Sequence, residues 1–301
     1  MEQQINYIMK HWGYDHCKIE NRFHQESSRL IYLISRSQEQ RFILKGLPDS
    51  ISETVIKGNV LAHEYLGNGK GIAPKIYYLL DGKSYLHIDD YHFYLIEYIE
   101  GRMLEETVED EDALGKLARE LHSYKDYTYP TGLTCNKAKF YTWFHEKSFK
   151  KEFDAILDGI PDFDIYEQCF IHTDLGPHNA MMRNNGSVVL VDLDDAGLGS
   201  KYLGLGWPLI MQFVKFDKQS HDKEYRFDLA NAFLQGYYGA DTLSRKEYEL
   251  LWQGAIYMHI SYMQTFGPDA IDSLWEILRY GMEQQEELWR ILSTAVIETW
   301  Q

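Results

Sequence analysis

Cysteine is scarce and unpatterned. Cys17, Cys135 and Cys169 are odd in number, widely spaced and without a C-x-x-C pair, so they read as reduced thiols and the expected location is cytoplasmic. Basic charge is also in short supply. Lys and Arg number 30 against 46 Asp and Glu, a formal charge of −16, which excludes a polyanion-binding face for nucleic acid or an anionic membrane. Long apolar runs are missing: the longest, Leu203 to Val214, is about half a bilayer span. Met1 to Tyr14 carries charges and has no apolar signal-peptide core, so export is not expected. No repeat, low-complexity tract or Pro-rich linker interrupts the chain. What is present is core-forming material. Apolar residues make up 45% and aromatics 15% of 301 residues, too much for a disordered chain and, at ~150 residues per domain, enough for about two compact units.

The two parts read differently. From Ser28 to Glu97 the apolar runs are short and rich in β-branched and aromatic residues: Leu30–Ile34, Phe42–Leu44, Ile76–Leu80, Tyr85–Ile88 and Phe93–Ile96. Polar turns separate them, the pattern of an antiparallel sheet. One helix interrupts it, from about Ser50 to Gly67, with Ser50 and Glu53 as a capping box and Gly67 as the terminator. After Gly101 the apolar period lengthens to i, i+3 or i+4 in 112–124, 138–157, 223–238, 244–265 and 269–292, the spacing of helices. Short strands at 169–171, 180–183 and 187–191 form a small island among them. The expected fold is α+β, with a β-rich unit at 1–98 carrying one main helix and a larger, mainly helical unit at 99–301. Charge is unequal as well: residues 1–100 hold 11 basic and 13 acidic groups, and the remainder 19 and 33, a net of −14. The plain reading is solubility; the sharper one is attraction of a cationic ligand.

The island carries the candidate chemistry. Ile171-His172-Thr173-Asp174-Leu175-Gly176-Pro177-His178-Asn179 is a polar loop after a strand, and Val188–Val191 leads into Asp192-Leu193-Asp194-Asp195 at the next strand end. A carboxylate at 192 and an amide oxygen at 179 suit Mg²⁺, which takes few protein oxygens beside phosphate and water. Asp174 could accept the proton of an attacking hydroxyl. Base, metal clamps and little covalent work are the requirements of phosphoryl transfer.

His172-x-Asp174-x-x-x-x-Asn179, followed 13 residues later by Asp192, resembles the catalytic and metal loops of the aminoglycoside phosphotransferase/choline kinase-like family, which has a protein-kinase-like two-lobed fold. The resemblance runs from about Ser27 to Trp207. It implies transfer of the ATP or GTP γ-phosphate to a small-molecule hydroxyl, with Asp174 as base, Asn179 and Asp192 as Mg²⁺ ligands and His172 fixing the loop. It also asks for a strand lysine on the α- and β-phosphates, oriented by a helix glutamate. Lys45 ends Arg41–Lys45 as such a lysine should. Glu53 is used by the capping box, so Glu64, one turn after Val60 and Leu61, is the expected partner. Leu95–Gly101 resembles the family's hinge, with backbone groups from Glu97 to Ile99 on the adenine.

Two departures stand out. The first hairpin loop, His24–Ser28, has no glycine, so Ser27 and Ser28, by hydroxyl or backbone N–H, are the phosphate contacts expected there. Gly204 stands where the family usually has a supporting Asp. Plainer readings exist for single residues. His178 reads as an ordinary hydrogen-bonded loop histidine, and Asp194 and Asp195 as solvated. A His172/Asp174/His178 zinc site would leave Lys45, Glu64 and Asn179 without roles, and Leu203 at the twelfth position rules out a Ca²⁺ loop beginning at Asp192. Trp252, Tyr257, Tyr262, Phe266, Trp275 and Trp289 read as core packing. The functional expectation is a small-molecule kinase with an amine-bearing acceptor such as an aminoglycoside, choline-like compound or homoserine. A catalytically silent nucleotide-binding scaffold is the alternative. A protein kinase is disfavoured, because about ten residues after Asp192 leave little room for an activation segment.

Overall fold

The period-2 runs pair in one antiparallel sheet. The computed structural model describes residues 2–23, 28–37, 40–131, 137–194, 196–217, 219–263 and 265–298. After helix α1 (Glu2–Met9) come β1 (Lys18–Phe23), β2 (Leu30–Ser37) and β3 (Gln40–Pro48), then α2 (Glu53–Ala62), β4 (Ile76–Tyr77), β5 (Leu86–Ile88), β6 (Tyr91–Glu97) and β7 (Gly101–Met103). The strand order is β1-β2-β3-β6-β4, with β5 also on β6. Strand β3 is central, so it is covered on both faces. One face, Phe42 and Leu44 with Tyr32, Ile34, Phe93 and Leu95, packs under Ile5, Ile8, Met9 and Trp12. Those N-terminal residues belong to no element foreseen from the sequence. The other face, Leu47, Tyr94 and Ile96, packs on Ile56 and Val60 of α2.

Helix α2 differs from expectation at both ends. Its cap is Ser52, whose hydroxyl accepts from the Val55 N–H at 3.4 Å, while Glu53 is the first helical residue and bonds Tyr85 and Lys57. Beyond Ala62 the chain continues in wider, π-type turns to Lys70 and stops at Gly71, whose φ of 79° is the left-handed region that favours glycine. Gly67 is there for close approach instead: a Cβ would fall 2.2 Å from the Pro74 carbonyl oxygen.

Packing divides the chain into 1–102 with 180–196, and 103–179 with 197–301. The division expected at 98/99 differs chiefly in the island segment 180–196, which packs with the first unit. There β9 (Ala180–Arg183) and β10 (Val188–Leu190) form a hairpin, β9 also pairs β7, and the Leu190 N–H donates to the Ile72 carbonyl at 3.0 Å. In the second unit α3 (Val108–His122) packs on α7 (Phe227–Tyr238), and α6 (Lys201–Met211) on α8 (Arg245–Met263). Strand β8 (Gln168–Ile171) pairs antiparallel with β11 (Gly197–Ser200).

Three helical windows break. The window 138–157 holds α4 (Lys137–Phe140) and α5 (Lys150–Gly159), with Phe144 between them at φ 61°. The start of 223–238 is a strand, β13 (Lys223–Tyr225), paired with β12 (Val214–Phe216). The last window is α9 (Ile271–Glu283) and α10 (Gln285–Glu298). Of the aromatic stripe, Trp252 and Trp275 are buried, Tyr257, Tyr262 and Trp289 are partly covered, and Phe266 is exposed. Among the described residues no helix is long and apolar enough to cross a membrane.

Candidate active site

Two constellations form, one in each unit. In the first, Lys45 lies opposite Ile31 of β2 and Tyr94 of β6, on the face that packs against α2. Its side chain is 7% exposed, and its Nζ donates to Asp192 Oδ1 at 2.8 Å and to Asp194 Oδ1 at 3.4 Å. Residues 45 and 192 thus meet across 147 positions of sequence. Burial pulls the ammonium pKa down, but the two carboxylates outweigh it and hold the group protonated, well above its ordinary value.

Asp194 is not solvated, contrary to the sequence reading. It is 13% exposed, pairs with Arg29 at 2.5 Å and accepts from Asn59 Nδ2 at 3.0 Å. Burial pushes its carboxyl up, while Lys45 and Arg29 pull it back. Asp195 lies outside the described residues.

Glu64 is not among these partners. Its carboxylate accepts from Ser84 Oγ at 2.5 Å and from the Tyr78 hydroxyl, so the expected Lys45–Glu64 pair is absent among the described contacts. Helix α2 instead contributes Asn59, and His63 follows it. His63 is fully buried, bonds the Pro74 carbonyl through Nδ1 at 3.0 Å and leaves Nε2 without a partner. Burial, helped by Lys45, lowers its pKa to about 4, so the ring stays neutral. A neutral imidazole and an amide add no charge to the cluster, whose cations, Lys45 and Arg29, face the carboxylates of Asp192 and Asp194. The expected adenine residues close the sheet: the Glu97 N–H donates to the Lys75 carbonyl, its carboxylate takes the Lys75 N–H at 3.2 Å, and Ile99 is 5% exposed. Ser28 is exposed; Ser27 lies outside the described residues.

In the second unit, β8 delivers a stiff loop. His172 is 1% exposed and its Nδ1 accepts the Asp174 N–H at 3.2 Å, which fixes the turn. Pro177–Asn179 is a single 3₁₀ turn, anchored by the Asn179 N–H on the Gly176 carbonyl. Asn179 Nδ2 donates to Asp174 Oδ2 at 3.0 Å and to the Asp174 carbonyl at 2.8 Å. With Nδ2 so committed, the amide presents its oxygen in the other direction, as a hard donor. His178 is a hydrogen-bonded loop histidine, as read from the sequence, and its partner is Asp174: Nε2 lies 3.2 Å from Oδ1. Burial works to raise the Asp174 pKa, but the His178 hydrogen bond, the charges of His178 and His172, and Asn179 outweigh it and hold the carboxyl below its ordinary value. Asp174 is therefore ionised at neutral pH, half-exposed and aimed by two neighbours. His172, Asp174 and His178 do not gather as a three-ligand metal set among the described residues.

At Gly204, where a supporting Asp was looked for, a Cβ would meet His122 Nε2 at 3.0 Å and Ile171 Cβ at 3.2 Å. His122 fills that space, held neutral by burial with its pKa near 3.

Sequence reasoning missed Arg29, Asn59, Asp194 and the His178 contact. A signal existed for one of them: Asn59 is a polar residue inside the apolar stripe Ile56–Val60.

Comparison places these features in context. Residues 23–237 match a family model described as the phosphotransferase enzyme family. No curated protein matches the chain. Among solved structures it is similar to an amicoumacin kinase in complex with AMP-PNP, Ca²⁺ and Ami, at 18% identity over 95% of this chain and 94% of that one, with a TM-score of 0.68. It is similar also to a microcompartment-associated aminopropanol kinase, at 15% identity over 98% and 99%, TM-score 0.63. A choline kinase from Cryptosporidium parvum Iowa II matches at 13% identity over 99% and 97%, TM-score 0.56. The antiparallel N-terminal sheet and larger helical part are the fold these kinases share.

Proposed function

The chain belongs to the phosphotransferase enzyme family, and on that premise we propose that it transfers the γ-phosphate of ATP or GTP, with Mg²⁺, to a hydroxyl of a small amine-bearing molecule. The observation that carries the reading is the buried Lys45 ammonium held 2.8 Å from Asp192. Asp192 and Asp194 keep that ammonium charged despite its burial, which fixes a cation at the strand position where the family resemblance asks for a phosphate-binding lysine.

In this reading Lys45 binds the α- and β-phosphates as a fixed positive charge, and backbone groups from Glu97 to Ile99 hold the base. Asn179 and Asp192 would hold the metal: an amide oxygen and a carboxylate that stays 41% exposed are the hard donors Mg²⁺ prefers. When bound, Mg²⁺ supplies charge neutralisation on the phosphate oxygens. Asp174 accepts the acceptor's hydroxyl proton at its carboxylate as the oxygen attacks. Its low pKa makes it a weak base in the ground state, so its contribution is orientation and late proton acceptance. His172, His178 and Asn179 fix that carboxylate, which limits the reorganisation left for the reaction itself.

An amine on the acceptor is supported by the net charge of −14 on residues 101–301 and by the similar structures, whose names include an aminopropanol and a choline kinase. The test is an assay of ADP or GDP release against amine-bearing and neutral alcohols, corrected for acceptor-free hydrolysis. Asp174→Ala is expected to keep nucleotide affinity and lose about three powers of ten in kcat. Retained turnover in that variant removes Asp174 from the chemistry, and no turnover of the wild type on any alcohol, with nucleotide bound, leaves the silent-scaffold alternative.

A further inference from the structure

A second group of ligand-type side chains lies in the first unit, apart from every residue given a role above. Asp49 follows the last residue of β3. His87 and His92 are direct cross-strand partners in the β5–β6 hairpin, so their side chains leave the same face of the sheet. The two rings lie 4.5 Å apart between centroids. Both Nε2 atoms converge on one carboxylate: His87 Nε2 is 3.0 and 3.1 Å from the Asp49 oxygens, and His92 Nε2 is 3.2 Å from Oδ1. One ligand atom from each residue lies within 4.8 Å of the other two. The backbone sets Asp49 in place, since its N–H donates to the Asp90 carbonyl at 2.9 Å and Asp49 thereby closes on the hairpin turn.

We infer that Asp49, His87 and His92 form a binding site for a divalent transition-metal ion of the Zn²⁺ class. Two imidazoles and one carboxylate are borderline ligands that suit zinc and its first-row neighbours and do not suit Mg²⁺, which prefers an all-oxygen shell. The two imidazole–carboxylate separations, 3.0 and 3.2 Å, match the case, for with bonds of about 2.0–2.1 Å neighbouring ligands around one ion sit roughly 3.0–3.4 Å apart. His87 and Asp49 are half-exposed, at 51% and 46%, so the ion has an open approach and keeps water in its remaining positions. His92 is the inner wall at 15% exposure, and its Nδ1 is buried without a hydrogen-bond partner. The metal-bound ring therefore lacks the outer acceptor that usually strengthens such a ligand, which costs about 10- to 100-fold in affinity. The site is a micromolar one, not a permanent structural centre. Its effect is to tie the end of β3 to the β5–β6 hairpin.

The experiment uses the full chain stripped with EDTA and titrated with ZnCl₂ by calorimetry, beside the His87→Ala and His87→Ala/His92→Ala variants. The wild type is expected to bind one more equivalent than the double variant, with Kd on the order of 1 μM. At a hundredfold excess over Kd, zinc should raise the wild-type melting temperature by a few degrees and leave the double variant unmoved. Millimolar Mg²⁺ should not compete. His87 is exposed, so His87→Ala keeps the fold and decides the matter even if the double variant does not fold; it should weaken binding at least tenfold. Equal stoichiometry and affinity in wild type and His87→Ala, or no zinc binding by the wild type, overturns the assignment and leaves a hydrogen-bonded His–Asp–His cluster. Neither result bears on phosphate transfer, which is measured separately.

Discussion

Glu111 is a residue whose burial decides its protonation state. Its carboxyl, on α3, is fully buried, and Gln212 Nε2 donates to its Oε1. The second oxygen of Glu111 and the Gln212 carbonyl oxygen are both buried without a donor. A proton on Glu111 removes the charge that this dry, partly unpartnered carboxylate would otherwise carry. Burial, with Glu106 adding to it, accordingly pushes the pKa up to about 8 from an ordinary 4.5. The folded state therefore holds a proton that the unfolded chain releases near pH 4.5. The stability this contributes is fully present below that pH and is lost as pH rises through about 8, in all on the order of 5 kcal/mol. Urea unfolding at pH 5 and pH 8 should show Glu111→Gln matching the wild type at the lower pH and exceeding it at the higher. A variant with the wild-type pH dependence would show that Glu111 is ionised in the fold. The same residue scale separates what could be read in advance from what could not. That Asp174 meets Asn179 and Lys45 meets Asp192 was legible because loop motifs keep a fixed spacing beside strands, whereas their roles in chemistry rest on the resemblance. The lysine's neighbours were not, because the resemblance asked for a helix glutamate and Glu64 was placed on the packing face by counting regular α-helical turns. The face that packs carries Asn59 and His63, and the wider turns that start at His63 shift Glu64 toward Ser84.

For elements, periodicity located the sheet and most helices, whereas ends and breaks followed contacts distant in sequence. The cap of α2 is a case that can be measured. The sequence pattern pointed to Ser50, and the Val55 N–H goes to Ser52 instead. Ser52→Ala is expected to cost about 0.5–1 kcal/mol, the lower part of the usual range given the 3.4 Å contact, and Ser50→Ala close to nothing. Denaturant midpoints of the two variants check this, and the reverse order would restore the cap predicted from sequence. The interruption of 138–157 had no glycine or proline to announce it. It comes with a run of aromatic contacts, Phe140 on Trp143 and Phe144 on Phe149 and Phe153, that shape the segment between α4 and α5 more strongly than its helical spacing does.

At the scale of the whole molecule, charge asymmetry is the feature with a kinetic consequence. A net of −14 on residues 101–301 draws cations by a field that salt screens, with a Debye length of ~8 Å at 0.15 M. For an amine-bearing acceptor, KM should rise several-fold between 50 and 500 mM KCl (roughly, as screening lengths shorten) with kcat little changed. A flat salt series would point to a neutral acceptor.

The lysine at position 45 also waits for its counterions. Residues 180–196 belong to the first unit, so a ribosome making roughly 5–20 residues per second delivers the first 102 residues several seconds before Asp192 and Asp194 exist. During that interval the nascent sheet would have to enclose an unneutralised ammonium or leave its α2 face open. Final closure of this unit is thus postponed until much of the second has been synthesised, and Lys45 is seated late in the life of the emerging chain.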